Sequence, residues 1–417
     1  MTQARRIPPK PPRPRPAPLA SSPIITALEN NVARAGGAGK PRGAALVQNF
    51  WATNGANSPL VEELPNRDER LVTFLWQDAD AERVLVFVNR LTDERNLAAS
   101  YARRVPGTDL WHLTYRMAAD WRASYSFLPQ YDVRPPWLDG DDQAEIRAAL
   151  DRGLADPRNA ETCRNRRGTV MSVVSLPAAP AQHQVAYRTG VVRGTVTEHS
   201  GPGERRLWVY SPPQAAAEPT PVVLVLDGEV WTSSQDLPAT MDNLIADRLV
   251  RPAHLVMLDS GGTTARWGEM GGPGEIGHYL IRRLLPWARR HYPISPRRGD
   301  VVVAGLSLGG LVALRTALEN SFQVGGVLSQ SASLWQDDLT AALAASDIRG
   351  LRAYLEVGSQ EWLLAQPNRQ FAERLARAGA EVQFVEYNGG HDYACWRGGV
   401  ADGLRYLLPV SRQPGTG

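Results

Sequence analysis

The feature that most constrains the fold is a short glycine-rich turn at residues 305–309. It has the sequence Gly-Leu-Ser-Leu-Gly, follows the apolar run VVVA at residues 301–304, and precedes LVALRTALEN, a helix-favouring stretch. A serine on a sharp strand-to-helix turn is the nucleophile position of one class of hydrolases, and flanking glycines let the backbone turn without a Cβ clash. The turn therefore predicts that Ser307 is a nucleophile between a strand and a helix.

This turn lies in a region, residues 186–412, where candidate strands alternate with candidate helices. Eight runs predict strands: GVVRGTVTEH, RRLWVYSP, PVVLVLDG, AHLVMLD, DVVVAGLS, VGGVLSQS, LRAYLEVG and VQFVEYNGG. Helix-like stretches lie near residues 237–250, 275–291, 309–320, 367–379 and 396–408. This alternation is typical of a mostly parallel sheet covered by helices on both faces. We therefore predict an α/β fold, with a C-terminal α/β-hydrolase domain built on a mostly parallel eight-stranded sheet.

The first half of the chain has a different pattern. Residues 46–135 contain closely spaced strand-like runs, LVTFLWQ, RVLVFVN, DLWHLTYRM and WRASYSFLPQ, with turn residues between them, which predicts a small Ig-like β-sandwich. Residues 136–185 are interpreted as a connector with one helix, DDQAEIRAALDRG. Residues 1–45 are rich in Pro, Ala, Arg and Gly without periodicity, so we expect a disordered arm.

A serine nucleophile needs a base, and in the predicted fold the chain order is serine, acid, histidine. His391 follows the last predicted strand in NGGHD and is the candidate base. Glu361, in the loop GSQEW after the preceding strand, is the candidate acid. A Ser/His pair without an acid stays open, and Asp392, Asp337 and Asp338 are weaker candidates for the acid.

Ester hydrolysis by a serine also needs donors for the oxyanion. The backbone amide of Leu308, at the start of the helix after the nucleophile, is one candidate. The backbone amide of Glu229, in the turn DGEVW after the third strand of the predicted sheet, is the other. Both lie where a strand of the predicted sheet gives way to the next segment, so we predict an oxyanion hole formed by these two amides.

Composition excludes several other classes of protein. Forty-six Lys and Arg against 43 Asp and Glu argue against a dedicated nucleic-acid binder. The two cysteines are too few for a disulfide framework, and no residues have metal-ligand or nucleotide-loop spacing, so no metal site or cofactor is predicted. Near the N-terminus PPKPPRPRPAP replaces the apolar core of a signal peptide, and no apolar run approaches the roughly eighteen residues of a membrane span. We therefore expect a cytoplasmic protein without a membrane partner, of undetermined oligomeric state.

Longer segments resemble a known family. LVLDGEVW, VVVAGLSLGG, GVLSQSASLW and NGGHDYACWRGG are similar to the enterochelin (enterobactin) esterases, cytoplasmic α/β-hydrolases of the esterase D-like class that hydrolyse the trilactone of ferric catecholate siderophores. AADWRASYSFLPQ and LADPRNAETCRNRRGTVMSVVSLP resemble the N-terminal domain and linker of that family, so the resemblance covers about residues 65–410. It implies Ser307 as nucleophile, His391 as base and Glu361 as acid, with iron arriving as part of the substrate. LWQ at 334–336 and Trp362 depart from the family pattern, which leaves the exact siderophore open.

The implied substrate suggests further binding residues. A ferric tris-catecholate is a trianion with aromatic faces, and arginine can meet both properties. Arg266, after the fourth predicted strand, and Arg122, in WRASY, are candidates, although Arg266 could instead form a surface pair with Glu269. Trp335 and Trp396 are candidate pocket walls, with core packing as the alternative.

Together these features predict a serine esterase that opens the ester bonds of a ferric catecholate siderophore. The alternatives are a general carboxylesterase of the esterase D or feruloyl type, and a siderophore-binding protein without catalysis. The predicted sandwich carries no nucleophile, base or metal site, so we expect it to support the distant arms of a large substrate.

Overall fold

The computed structural model describes residues 14–15, 17–55, 58–139, 142–185, 187–213, 219–272 and 274–410. Within this range the chain forms two compact units. The sandwich unit consists of the described residues up to Pro180 together with the short segment Asn388–Ala394. The hydrolase unit consists of Ala181–Tyr387 and the described residues from Cys395 onwards.

The sandwich unit contains two antiparallel sheets and four helices. Its elements are β1 (Leu19–Ala20), α1 (Pro23–Arg34), α2 (Pro41–Asn54), β2 (Leu60–Glu63), β3 (Glu69–Gln77), β4 (Arg83–Val88), a 3₁₀ turn (Leu97–Ser100), β5 (Arg103–Arg104), β6 (Leu110–Ala118), β7 (Arg122–Gln130), α3 (Pro136–Asp139), α4 (Gln143–Leu150), β8 (Thr162–Arg164) and β9 (Val170–Ser175). One sheet has the order β1-β6-β3-β2, with β5 also paired to β6, and the other has the order β4-β7-β9-β8.

The two sheets share one apolar core. Alternate residues of β3 and β6 meet alternate residues of β4 and β7, and the ring centroids of Phe74 and Tyr125 lie 4.7 Å apart in an edge-to-face arrangement. Such inward-facing rows are what the period-two pattern of LVTFLWQ and WRASYSFLPQ predicts. The predicted N-terminal β-sandwich is therefore confirmed.

The prediction of disorder for residues 1–45 is wrong from residue 17 onwards, and residues 1–13 and 16 lie outside the described part. Ile25, Leu28 and Val32 are spaced to share one face of α1, and they pack with Phe50 of α2 on Leu75 of the sandwich. Ser22 caps α1, because its Oγ accepts a hydrogen bond from the amide of Ile25 at 3.1 Å. Burial of three apolar side chains at helical spacing is therefore enough to order α1, although the surrounding sequence is polar and contains glycines.

The prediction that residues 136–185 form only a connector is also wrong in part. The predicted helix is present as α4, but β8 and β9 add two strands to the second sheet. Asn159 fixes the loop before them, since its side-chain amide donates to the carbonyl of Val173 at 2.8 Å and to the hydroxyl of Tyr125 at 3.0 Å. The sandwich therefore extends well beyond residue 135.

The hydrolase unit alternates strands and helices. Its elements are β10 (Thr195–Ser200), β11 (Arg206–Ser211), β12 (Val222–Val225), α5 (Gly228–Ser233), α6 (Leu237–Ala246), β13 (His254–Leu258), α7 (Gly262–Met270), α8 (Glu275–Tyr279), a π-helical turn (Leu280–Leu284), α9 (Leu285–His291), a 3₁₀ turn (Arg298–Asp300), β14 (Val301–Leu306), α10 (Leu308–Glu319), β15 (Gly326–Gln330), α11 (Thr340–Ala344), β16 (Arg352–Gly358), α12 (Ala365–Arg377), β17 (Glu381–Tyr387) and α13 (Tyr393–Leu407), whose residues from Cys395 onwards belong to this unit.

These eight strands form one sheet in the order β10-β11-β13-β12-β14-β15-β16-β17. The pairs β10–β11 and β11–β13 are antiparallel, and all other neighbours are parallel. β12, β13, β14 and β15 are buried along their whole length, as expected for strands covered on both faces. The predicted mostly parallel eight-stranded sheet is confirmed.

Along the described stretches, every helix is too short or too polar to cross a membrane.

Candidate active site

Ser307 lies on the turn between β14 and α10, as the glycine-rich sequence predicts. Its φ of 56° and ψ of −119° place a non-glycine residue in a strained region of backbone space. A Cβ at position 305 would lie 2.3 Å from the carbonyl oxygen of Gly309, so only glycine allows the chain to close this turn. The amide of Ser307 donates to the carbonyl of Gln330 at 2.8 Å, which anchors the turn to β15. These features give Ser307 the geometry of a nucleophile elbow.

The turn after β12 is equally constrained. Asp227 has left-handed backbone angles of 60° and 42°, and a Cβ at position 228 would lie 2.4 Å from the carbonyl carbon of Met257. The next residue, Glu229, is held by its side chain, because its carboxylate accepts a hydrogen bond from the amide of Ser260 at 3.0 Å. The backbone amide of Glu229 lies in the first turn of α5, and the backbone amide of Leu308 lies in the first turn of α10.

Arg266 has a different partner from the one considered from the sequence. Its Nε and Nη2 donate to the two carboxylate oxygens of Asp227 at 2.6 and 2.7 Å, and Nη2 also lies 3.4 Å from the carbonyl oxygen of Leu306. The alternative of a surface ion pair between Arg266 and Glu269 is wrong, because Arg266 is only 6% exposed and Glu269 pairs with Arg205. The bidentate pair therefore joins the turn after β12 to the end of β14, directly before the nucleophile.

Glu361 lies after β16, in the predicted loop, and is 1% exposed. One oxygen, Oε1, accepts a hydrogen bond from the hydroxyl of Ser331 at 2.6 Å and from the amide of Gly358 at 2.9 Å. The hydroxyl of Ser331 in turn accepts a hydrogen bond from Nε1 of Trp396 at 3.0 Å. Burial raises the pKa of nearby Tyr387 well above its usual range, so its hydroxyl, 3.4 Å from the same oxygen, stays a donor. The carboxylate is therefore rigidly held by donors that the sequence alone does not reveal.

A second buried carboxyl, Glu356, lies on β16 itself. Its Oε1 accepts from Nε2 of Gln330 at 2.7 Å, and the hydroxyl of Tyr354 lies 3.2 Å from its Oε2. A Cβ at position 399 would lie 1.9 Å from Oε2, so α13 can pass this close only with glycine there. Burial raises the pKa of Glu356 to about 8. Sequence reasoning missed this residue because it lies inside an apolar strand and belongs to no motif.

His391 belongs to the segment Asn388–Ala394, which clusters with the sandwich unit, whereas Ser307 and Glu361 belong to the hydrolase unit. Its neighbour Asp392 is committed elsewhere: Oδ2 accepts from the amide of Ser124 at 2.6 Å, and Oδ1 accepts from the amide of Ala394 at 3.0 Å. Those backbone partners leave Asp392 a poor candidate for the acid.

The remaining alternatives for the acid are also engaged. Asp337 pairs with Arg315 at 2.7 Å, and Asp338 accepts from the amide of Thr340 at 2.9 Å at the start of α11. Backbone and side-chain hydrogen bonds from Thr340 lower the pKa of Asp338. Both carboxylates serve local structure, so Glu361 is the best candidate among the described acidic residues.

The proposed substrate-binding residues differ in their surroundings. Trp396 is 2% exposed and its indole N–H is used inside the network of Glu361, so the prediction of a pocket wall is wrong for it. Arg122 is buried as well, with its Nε donating to the hydroxyl of Ser175 at 2.9 Å. Trp335 is half-buried and packs on Val357 and its apolar neighbours. The described residues hold no group of three His, Cys, Asp or Glu side chains that could bind a metal ion.

Comparison with known proteins matches both halves of the chain. The family model "Enterochelin esterase, N-terminal" matches residues 71–185, and the model "Putative esterase" matches residues 199–407. An iron(III) enterobactin esterase of Escherichia coli O6:H1 is 31% identical over 80% of this chain and 90% of its own length. The chain belongs to the enterochelin esterase family. An iron(III) salmochelin esterase of the same organism is 32% identical over 87% of this chain and 94% of its own length.

Solved structures of this family also match. The ferric enterobactin esterase of Salmonella typhimurium has a TM-score of 0.75 and 29% identity, covering 86% of this chain and 98% of its own. The enterobactin esterase of Shigella flexneri, solved in the presence of enterobactin, has a TM-score of 0.72 and 28% identity, covering 86% of this chain and 97% of its own. The resemblance predicted from the sequence motifs is therefore confirmed over most of the chain.

Proposed function

We propose that this enterochelin esterase relative hydrolyses the ester bonds of a ferric catecholate siderophore such as enterobactin and so releases iron in the cytoplasm. One observation carries the proposal: Ser307 has strained nucleophile-elbow geometry in a chain that spans nine-tenths of the length of an iron(III) enterobactin esterase. The substrate class rests on the relatives, which act on iron(III) enterobactin and iron(III) salmochelin according to their names.

In the proposed reaction the hydroxyl oxygen of Ser307 attacks an ester carbonyl of the substrate. His391 accepts the hydroxyl proton as the carbon–oxygen bond forms, and it then donates that proton to the alkoxide that leaves when the tetrahedral intermediate collapses. Water attacks the acyl-enzyme in the second half, with His391 taking a proton from water and returning it to the oxygen of Ser307. The net reaction consumes one water for each ester bond and regenerates the enzyme.

The negative charge of the tetrahedral intermediate needs stabilising groups. We assign the backbone amides of Leu308 and Glu229, because each lies in the first turn of a helix, where the helix dipole favours negative charge. Arg266 supports these groups indirectly in this proposal. Its bidentate pair with Asp227 and its contact with the carbonyl oxygen of Leu306, at 3.4 Å, join the turn after β12 to the residue before the nucleophile.

Glu361 is proposed to hold the imidazole of His391 in the tautomer that accepts the serine proton. The support is its rigidity: a carboxylate that is fully buried and bonded to Ser331 and Gly358 loses little entropy when it orients a base. In this mechanism no cofactor is required, and iron enters only as part of the substrate.

The proposal is tested by chromatography of enterobactin, with and without iron, after incubation with the protein. We expect ester cleavage products with the wild type and intact siderophore with Ser307→Ala. A general carboxylesterase would turn over simple aryl esters at least as well as the trilactone. A pure binding protein would leave the trilactone intact and would not be labelled at Ser307 by a fluorophosphonate. Parallel incubation with salmochelin determines which of the two siderophores is preferred.

A further inference from the structure

The segment Asn388–Ala394 is separated by more than 200 residues along the chain from the rest of the sandwich unit, yet it belongs to that unit. Strand β7 holds it at two points through backbone amides. The amide of Arg122 donates to the carbonyl of Asn388 at 3.2 Å, and the amide of Ser124 donates to the carboxylate of Asp392 at 2.6 Å. The two bonds bracket His391 on both sides.

Side chains of the sandwich hold the same segment. The side-chain amide of Asn89 donates to the carbonyl of His391 itself at 3.2 Å. Asp120 accepts a hydrogen bond from the side-chain amide of Asn388 at 2.7 Å. Packing is close as well, because a Cβ at position 390 would lie 2.2 Å from Cγ of Arg90 and 2.3 Å from Oδ1 of Asn89.

The end of the segment is buried. Ala394 is fully buried in an apolar cluster formed by side chains of β4, α4, β8 and β9: Leu85, Phe87, Ile146, Leu150, Cys163, Met171 and Val173. The segment is thus bonded at its start, centre and end to one unit. This matters because two adjacent glycines, Gly389 and Gly390, would otherwise leave the chain before His391 with large conformational freedom.

We propose that the sandwich unit positions the imidazole of His391 for proton transfer, with Asn89 and Asp120 as positioning residues. The inference rests on the proposed function, in which His391 is the base. A general base must lie within hydrogen-bond reach of the proton that it accepts, and a misplacement of about 1 Å can reduce the rate about 100-fold. Fixing the backbone of His391 therefore contributes to the chemical step itself.

This role differs from recognition of the distant parts of a large substrate. A unit that only binds those parts affects the ferric siderophore and leaves a small ester unaffected. A unit that positions the base affects every ester alike, because each reaction uses the same proton transfer. Turnover of a small ester therefore separates the two roles.

The test compares Asn89→Ala with the matched control Asn159→Ala in the full-length protein. Both asparagines are half-buried in the sandwich unit, and each donates its side-chain amide to a backbone carbonyl, that of His391 or that of Val173. With a p-nitrophenyl ester we expect Asn89→Ala to lower kcat about tenfold with an unchanged KM. The control should lower the melting temperature to a similar extent while leaving kcat unchanged.

A second variant, Asp120→Ala, removes an exposed acceptor and so poses little risk to folding. We expect a smaller loss of kcat, about threefold, and an equal loss in the rate of fluorophosphonate labelling of Ser307, which needs the base but no siderophore arms. Unchanged small-ester kcat and labelling rate in both Asn89→Ala and Asp120→Ala would overturn the inference.

His391→Ala distinguishes this failure from failure of the proposed function. If His391→Ala is inactive while Asn89→Ala and Asp120→Ala are fully active, only the positioning role is wrong. If His391→Ala itself retains turnover, the assignment of His391 as the base is wrong, and the proposed positioning role is wrong as well.

Discussion

Replacing Glu356 by glutamine should stabilise the protein at neutral pH relative to the wild type, and much less so at acidic pH. Burial, together with the charges of Asp402 and Glu361, raises the pKa of Glu356 to about 8, against hydrogen bonds from Gln330 and Tyr354 that lower it. Glutamine has the same shape, has no proton to lose, and can accept from Gln330 while donating to the hydroxyl of Tyr354.

The magnitude follows from linkage between protonation and folding. Unfolded, the carboxyl loses its proton near its ordinary value of 4.5, whereas in the folded protein it keeps the proton until about pH 8. The folded state therefore binds more protons between these two values, and the free energy of unfolding falls as pH rises through that window. At about 1.4 kcal/mol per pH unit, the wild type should lose about 3 kcal/mol relative to Glu356→Gln between about pH 5 and pH 7.5.

Urea denaturation at several pH values, followed by circular dichroism, measures this difference. Subtracting the wild type from the variant at each pH cancels the other titrating groups, which the two proteins share. Glu381→Gln is the matched control, because Glu381 is an exposed glutamate on the neighbouring strand β17, and replacing a surface side chain typically changes stability by about 0.5 kcal/mol or less. Parallel stability curves for the wild type and Glu356→Gln between pH 5 and 7.5 would refute the reasoning.

Three further predictions concern the site. Ser307→Ala should abolish trilactone hydrolysis with unchanged circular dichroism, because the nucleophile is lost while the fold is kept; chromatographic detection of normal turnover would contradict the assignment. Arg266→Gln should lower the free energy of unfolding by about 3–5 kcal/mol, since it leaves the buried carboxylate of Asp227 unpaired, and Arg266→Gln/Asp227→Asn should recover much of that loss in the same denaturation assay. Glu361→Gln should reduce kcat less than His391→Ala does, and Ser331→Ala should reduce kcat less than Glu361→Gln does. The reason is that Glu361 acts through His391, and Ser331 acts through Glu361. Equal losses of kcat in steady-state kinetics would contradict this order.

The parts of the fold that depend on residues close in sequence could be predicted. The elbow at Ser307 needs only an apolar strand, two glycines and a helix in succession, and all three lie within about twenty residues. The strands likewise follow from local patterns, such as VVLV for β12 and RASYSFLPQ for β7. Position along the chain was enough to predict the loop of Glu361, because it follows β16 directly.

Features that depend on distant residues could not be predicted. Asp227 precedes Arg266 by 39 residues, whereas Glu269, the partner considered from the sequence, is close to Arg266 along the chain. The sequence could not show that the indole N–H of Trp396 is used inside the protein, because its acceptor, the hydroxyl of Ser331, lies 65 residues away along the chain. The helices of the predicted arm were missed for a related reason: Ile25 and Val32 become a core only when Leu75 lies beneath them.

The membership of residues 388–394 in the sandwich unit has a consequence for recombination within this family. A single cut in the chain near residue 180 does not separate the two units, because one of them takes its last seven residues from far beyond that cut. A chimera that exchanges residues 17–180 between relatives should therefore also exchange residues 388–394, so that Asn89, Asp120 and Ser124 keep the segment that they contact in the parent protein. Exchange of residues 17–180 alone would combine the sandwich of one relative with the segment around His391 of another.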